Sequence, residues 1–228
     1  SSSGFRLDGG RTLRNQNTLT WSGGGILFNN NVSGTSIAGS GTINNIAGAT
    51  FIAAGNSATS IGLSNFGGSD AGADSLFTNA GTFRKSGSSD TNTTTVDVAF
   101  NNTGTVDVLT GILNLTNGGT HTGNFTGAAG TIGFGGGTHL INAGATIATQ
   151  NVHFSGSGTT TINGTYNIGG TTSISAGTAS INGTLTSLGS ALEISGGSLN
   201  LQAANASVGT LTQSNGSLAG SGTLTVTG

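Results

Sequence analysis

Residues 164–182, GTYNIGGTTSISAGTASIN, run directly into residues 183–201, GTLTSLGSALEISGGSLNL, so the second block repeats the first with a period of 19. Within the two blocks glycine recurs at every sixth or seventh position, at Gly164, Gly170, Gly177, Gly183, Gly189 and Gly196. Between the glycines lie short alternations: Tyr166/Ile168, Leu192/Ile194, Leu199/Leu201 and, later, Leu224/Val226. Alternation with period two puts one set of side chains on one side of a strand and the intervening set on the other. Glycine suits the bends because it has no Cβ to clash there. The arithmetic is three short strands per coil, and self-similarity with a period of this size signals a solenoid. One coil cannot bury its own apolar face, so coils must stack, about 4.8 Å apart, with backbone hydrogen bonds running along the axis.

Upstream the same grammar is looser. LFNNNVSGTSI (27–37), INNIAGATFI (43–52), LFTNAGTFRK (76–85) and AFNNTGTVDV (99–108) share an apolar lead, asparagine, a short gap and a strand-like pair. Their leads are Phe28, Ile43, Phe77 and Phe100, at steps of 15, 34 and 23, and the step of 34 reads as two turns. Asn29, Asn44, Asn79 and Asn102 take the same place in each phrase, which predicts a ladder of stacked amides. The expected fold is all-β: a single right-handed parallel β-helix (β-solenoid) over 1–228. It should have about 19–23 residues per coil, a repeat length typical of solenoids, with 1–75 less regular than 76–228. About ten to twelve coils would make a rod roughly 50 Å long. A helical reading fails on glycine, serine and threonine content. An antiparallel sandwich is the serious rival, and the period of 19 argues against it.

Composition narrows the function classes. Of 228 residues 44 are Gly, none is Pro, Cys or Met, and 5% are charged. Minimal charge, absent proline and recurring Val, Ile and Thr argue against disorder. A formal net charge of −2 gives no footprint for nucleic acid or anionic membrane, and all five basic residues lie at or before Lys85. No apolar run is long enough to insert in a bilayer. The opening SSSGFRLDGG has neither an initiator Met nor a signal pattern, so the chain reads as a segment of something longer.

FNNTGTVDV (100–108), GTHTGNFTGAAGTIGFGGGTH (119–139) and GSLAGSGTLTVTG (216–228) resemble the repeat units of large bacterial surface β-helix proteins. Those are the autotransporter passengers and the filamentous-haemagglutinin-type tandem-repeat adhesins. The resemblance covers about 76–228 and, more loosely, the N-terminal part. It implies a secreted, cell-surface, fibrous protein that serves adhesion, biofilm structure or coating, and it carries over no functional residue.

Reactive groups are sparse. Asp97 and Asp107 stand in TVDVAF and TVDVLT; valines on both sides predict that each carboxylate faces solvent. A polysaccharide lyase or hydrolase on a β-helix would need clustered acid, base and cation, and nothing basic follows position 85. In GGSDAGADS (67–75) Asp70 and Asp74 are the calcium candidates, although the glycine-aspartate pattern of calcium-binding β-rolls is not matched. His121 and His139, separated by a step of 18, could stack on adjacent coils, but a zinc site would want more ligands. Thr93–Thr95 and Thr159–Thr161 are too irregularly spaced to read as one ice-binding file. No cofactor is expected.

The expected function is therefore structural and non-enzymatic: part of an extracellular fibre whose units stack end to end on copies of themselves. The alternative is an adhesin or glycan-binding stalk that reads surface glycans or host proteins. Trp21 discriminates the two: buried, it favours a scaffold; exposed beside Arg11 and Arg14, it favours a ligand surface.

Overall fold

A computed structural model describes residues 4–32, 40–66, 71–87 and 90–228. The described residues hold strands and no helix, and nearly every strand pair is parallel and in register. The chain is a parallel β-solenoid of about ten turns, with three faces. The first face is a ten-stranded sheet running from Thr12–Asn15 to Ser217–Ala219. The second runs from Thr18–Trp21 to Thr184–Leu188 and is continued by the pair Ala206–Val208 and Leu224–Val226. The third runs from Phe5–Leu7 to Thr210–Gln213. Two long strands, Asn124–Phe134 and Thr146–Phe154, bend across a corner and serve the second and third faces together.

The four-residue strands show why these sequences fold this way. Thr105–Val108 buries Val106 and Val108 and turns Thr105 and Asp107 outward; Thr82–Lys85 and Ile112–Leu115 repeat the pattern. Each inward residue then rests on its counterpart one coil away, as Ile43 does on Phe77 and Phe77 on Phe100. The result is a continuous apolar column. Phe51 stacks on Phe83 with centroids 5.3 Å apart, and Phe134 on Phe154 at 5.7 Å. Full burial of such a side chain contributes about 1.5–3 kcal/mol, which is what holds coils that could not stand alone.

Gly164, Gly170, Gly177, Gly183, Gly189 and Gly196 all fall between strands, as the period of 19 requires. At the corner between the first and second faces the reason is close approach. A Cβ on Gly104 would run into Gly81 O, and one on Gly123 into Gly104 O.

Coil length differs from expectation at the N-terminal end. Ile43 pairs directly with Phe77, so the step of 34 is one long turn and not two. Asn15 and Asn45, also direct partners, are 30 residues apart. Most of the surplus falls in the third-face strand and the stretch joining it to the first face. Downstream the turns shorten, to a step of 23 between Asn79 and Asn102 and of 19 between Asn163 and Asn182. Phe28, which shares the lead position of that series in sequence, lies on the third face, in register with Leu7 and Leu63.

Candidate functional site

The interior is not wholly apolar. Asn15, Asn45, Asn79 and Asn102 occupy one inward column of the first face and are buried. Asn15 Nδ2 donates to Asn45 Oδ1 at 2.7 Å, Asn45 Nδ2 to Asn79 Oδ1 at 2.7 Å, and Asn79 Nδ2 to Asn102 Oδ1 at 2.8 Å. The four Nδ2 groups also donate to backbone, to the carbonyls of Thr50, Thr82, Thr105 and Asn124 respectively, at 2.9–3.3 Å. A buried primary amide placed this way has its donors used, so the column carries little unsatisfied polar burial.

This ladder corrects two expected members. Asn44 is outward-facing and only partly buried; its neighbour Asn45 is the rung, because a slip of one residue in a strand reverses the face. Asn29 lies on Ile26–Val32 of the third face, away from this column. Asn15 is a rung that the shared phrase did not reveal. The signal is an apolar residue followed two positions later by asparagine: Leu13/Asn15, Ile43/Asn45, Phe77/Asn79, Phe100/Asn102. Period two sends both inward.

His121 is the next rung after Asn102, and beyond it the column turns to Ile141, Ile162 and Ile181. Its imidazole stacks on that of His139, with centroids 5.4 Å apart and planes 18° apart, both rings buried. Gly119, the register partner of His139, makes the room: a Cβ there would run into Phe100 O and lie 3.1 Å from His121 Cε1. His139 Nε2 faces Leu115 O at 3.3 Å, and a carbonyl only accepts, so Nε2 carries the proton. His139 Nδ1 is then the acceptor for His121 Nε2–H at 3.1 Å. His121 Nδ1 is left as a buried lone pair with no hydrogen-bond partner among the described residues. Burial, with the facing imidazole second, pulls His121 down to about 3; burial pulls His139 down to about 4, against the two carbonyls it meets. Both rings are neutral at neutral pH.

Lys85 is the second surprise. It follows Phe83 by two positions, points inward and is fully buried, its Nζ donating to Ser86 O at 3.0 Å. Burial lowers its pKa. Arg84, between them, turns outward and its Nε donates to Asp107 Oδ2 at 3.1 Å.

The remaining candidates are scattered. Asp97 is exposed at a corner, where it accepts from Thr116 Oγ1 at 2.7 Å, while Asp107 sits on the second face. Asp74 is exposed in a turn and Asp70 lies outside the described residues. No three metal-ligating side chains gather among the described residues. His153 is outward on the third face, its Nε2 2.9 Å from Ser175 Oγ, in a shallow hollow of about 350 Å³ that Glu193 also lines. Trp21 is 8% exposed, and its Nε1 donates to Gly23 O at 3.0 Å. On the second face Thr18, Thr50, Thr82 and Thr105 are in direct register, a file that the uneven coil lengths hide in the sequence. No helix among the described residues is long and apolar enough to cross a membrane.

No protein-family model, curated protein or solved structure matches the chain. The class is set by the coordinates: a β-solenoid, consistent with β-helix repeat proteins.

Proposed function

We propose that this chain is a structural, non-enzymatic stretch of an extracellular fibre or surface filament, of the kind seen in autotransporter passengers and filamentous adhesins. The observation that carries it is the pair of terminal rungs. At the N-terminal end Phe5, Leu13, Leu19, Trp21 and Ile26 line an apolar hollow of about 310 Å³, with Phe5 50% exposed. At the other end Leu201, Leu218 and Leu224 line one of about 170 Å³, and Val226 is 48% exposed. Both rungs are shaped to take a further coil, whose backbone would extend the ladder and whose apolar residues would cover the hollow. A further coil could come from the same polypeptide or from a copy of it, and copies joined head to tail extend without closing. The reading puts the chain at a cell surface, and biofilm and adhesion are its natural settings.

The buried Trp21 supports the scaffold over a glycan- or host-protein-reading module, which would present its aromatics to solvent. Negative-stain microscopy of the 228-residue chain over a range of concentrations tests the proposal. Rods that lengthen with concentration support it. Discrete particles of about 45 Å at every concentration, the height of ten stacked strands, would sink self-stacking and shift weight to the stalk module.

A further inference from the structure

We propose that the His121–His139 pair makes one turn of the solenoid, residues 119–141, an acid-sensitive joint: acidification opens the rod there while turns on either side keep their ladder. The inference stands apart from the fibre reading, since it concerns the interior alone.

The geometry disfavours an added proton at either free ring nitrogen. A proton added to His139 Nδ1 would set two N–H donors head to head across 3.1 Å. A proton added to His121 Nδ1 would have no acceptor among the described residues. Either way a charge would appear inside a wall of rings: His121 meets Phe125 at 5.1 Å and Phe100 and Phe134 at 6.4 Å, and His139 meets Phe134 at 5.0 Å. A buried charge without a counter-ion is among the most unfavourable things a core can hold.

The groups facing the pair from each packed element bear this out. From Ala99–Asn102 come Phe100 and the neutral Asn102 amide; from Ile112–Leu115, the Leu115 carbonyl; from Asn124–Phe134, Phe125 and Phe134; and from the bend before Thr138–Ile141, the Gly136 carbonyl, which faces His139. On the far side Thr138–Ile141 is flanked by Thr160, a register partner of His139. None is titratable. Asp107 turns outward to Arg84, Asp97 is exposed, and His153 and Glu193 line an external hollow. The one interior cation described, Lys85, is separated from the histidine turn by the turn that carries Val108.

The sign follows from linkage. Both histidines bind protons less readily folded than unfolded, so their neutral pairing supports the fold fully above pH 6.5 and fails as pH falls below it. An opened turn takes up two protons that the closed turn refuses. Its opening constant therefore rises about 100-fold per pH unit below 6.5, until the folded pair itself begins to take protons near 4.

Hydrogen exchange with mass spectrometry between about pH 7.5 and 4.5, a window spanning the free-imidazole range, tests this on the whole chain once corrected for intrinsic exchange. The expected result is a steep loss of protection in 119–141 with little change in 42–53 and 165–194. The double variant His121→Asn, His139→Phe continues the asparagine column and the Phe77–Phe100 column, and it should abolish the selective loss. Protection that falls evenly along the rod, or a double variant that keeps the selective loss, would overturn the proposal. Should that variant not fold, imidazole ¹⁵N shifts of the unaltered protein decide instead. Two neutral rings at about pH 5 in the folded state support it, and titration near 6.5, the free-imidazole value, without loss of structure refutes it.

Discussion

Asn45 Nδ2 lies 2.7 Å from Asn79 Oδ1 and 3.0 Å from Thr82 O, so a single amide ties its own coil to the next through both side chain and backbone. Asn79 repeats the arrangement toward Asn102 and Thr105. Asn79→Ala removes two donors and one acceptor and leaves Asn45 Nδ2 and Asn102 Oδ1 short of partners in a dry column. The loss should be about 2–4 kcal/mol, from the penalty of leaving buried polar groups unsatisfied. A denaturant or thermal melt would read it, and a midpoint within about 1 °C of the parent, well inside the shift expected for a chain this long, would contradict the ladder's weight.

Lys85→Met should act in the opposite direction. The ammonium is fully buried with, among the described residues, one carbonyl partner at 3.0 Å, and methionine fills a similar volume without a charge to desolvate. Replacing a buried charge by an apolar side chain is commonly neutral or stabilising by about 1–4 kcal/mol. Because burial lowers the lysine's pKa in the folded state, unfolding takes up a proton only in the window between that lowered value and 10.5. The parent should therefore gain stability as pH rises toward 10.5, and the variant should lose that slope. Equal slopes in paired melts from neutral pH toward the ordinary lysine range would show Lys85 to be solvated.

Gly123→Ala tests the corner. The new Cβ would run into Gly104 O, which belongs to the backbone of the previous turn and cannot rotate away. Overpacking of this kind costs about 1–3 kcal/mol. Gly23→Ala is the control, since nothing lies within 4 Å of a Cβ there. It should change stability by less than about 0.5 kcal/mol, as surface substitutions do.

Arg84→Ala should be nearly silent. The 3.1 Å contact with Asp107 is a salt bridge on the second face, but the arginine side chain is 42% exposed. Pairs in that setting contribute about 0–1 kcal/mol. A larger loss that vanished in about 0.5 M salt, where exposed charges are screened within a few ångströms, would mean the pair is better shielded than its exposure implies.

How much of this was legible in the sequence depends on where one looks. The 164–201 region states its three-strand coil openly, because strand, bend and period coincide there and the glycines land in the bends. The N-terminal turns hide theirs: a direct partner one long turn away looks like two turns until Ile43 and Phe77 are seen side by side. Asparagine points to the ladder, but the shared phrase selects Asn44 where the phase of the strand selects Asn45. Phase within a strand is fixed by the apolar residue two positions before, and that rule also exposes Lys85, two after Phe83. The histidine spacing predicts stacking, while the burial of both rings depends on the room that Gly119 leaves, which spacing does not show. The threonine file on the second face was illegible for the same reason as the long turns, since its members are unevenly spaced along the chain and evenly spaced along the axis.

The two longest turns carry most of their surplus in the same place, from the third-face strand to the first face, in consecutive coils, and the first face keeps its register across both. Length can thus be added or trimmed along one seam without disturbing the column beneath. Heredity is then free to edit that edge and obliged to conserve the shaft, so relatives of this molecule should differ from one another chiefly along a single line.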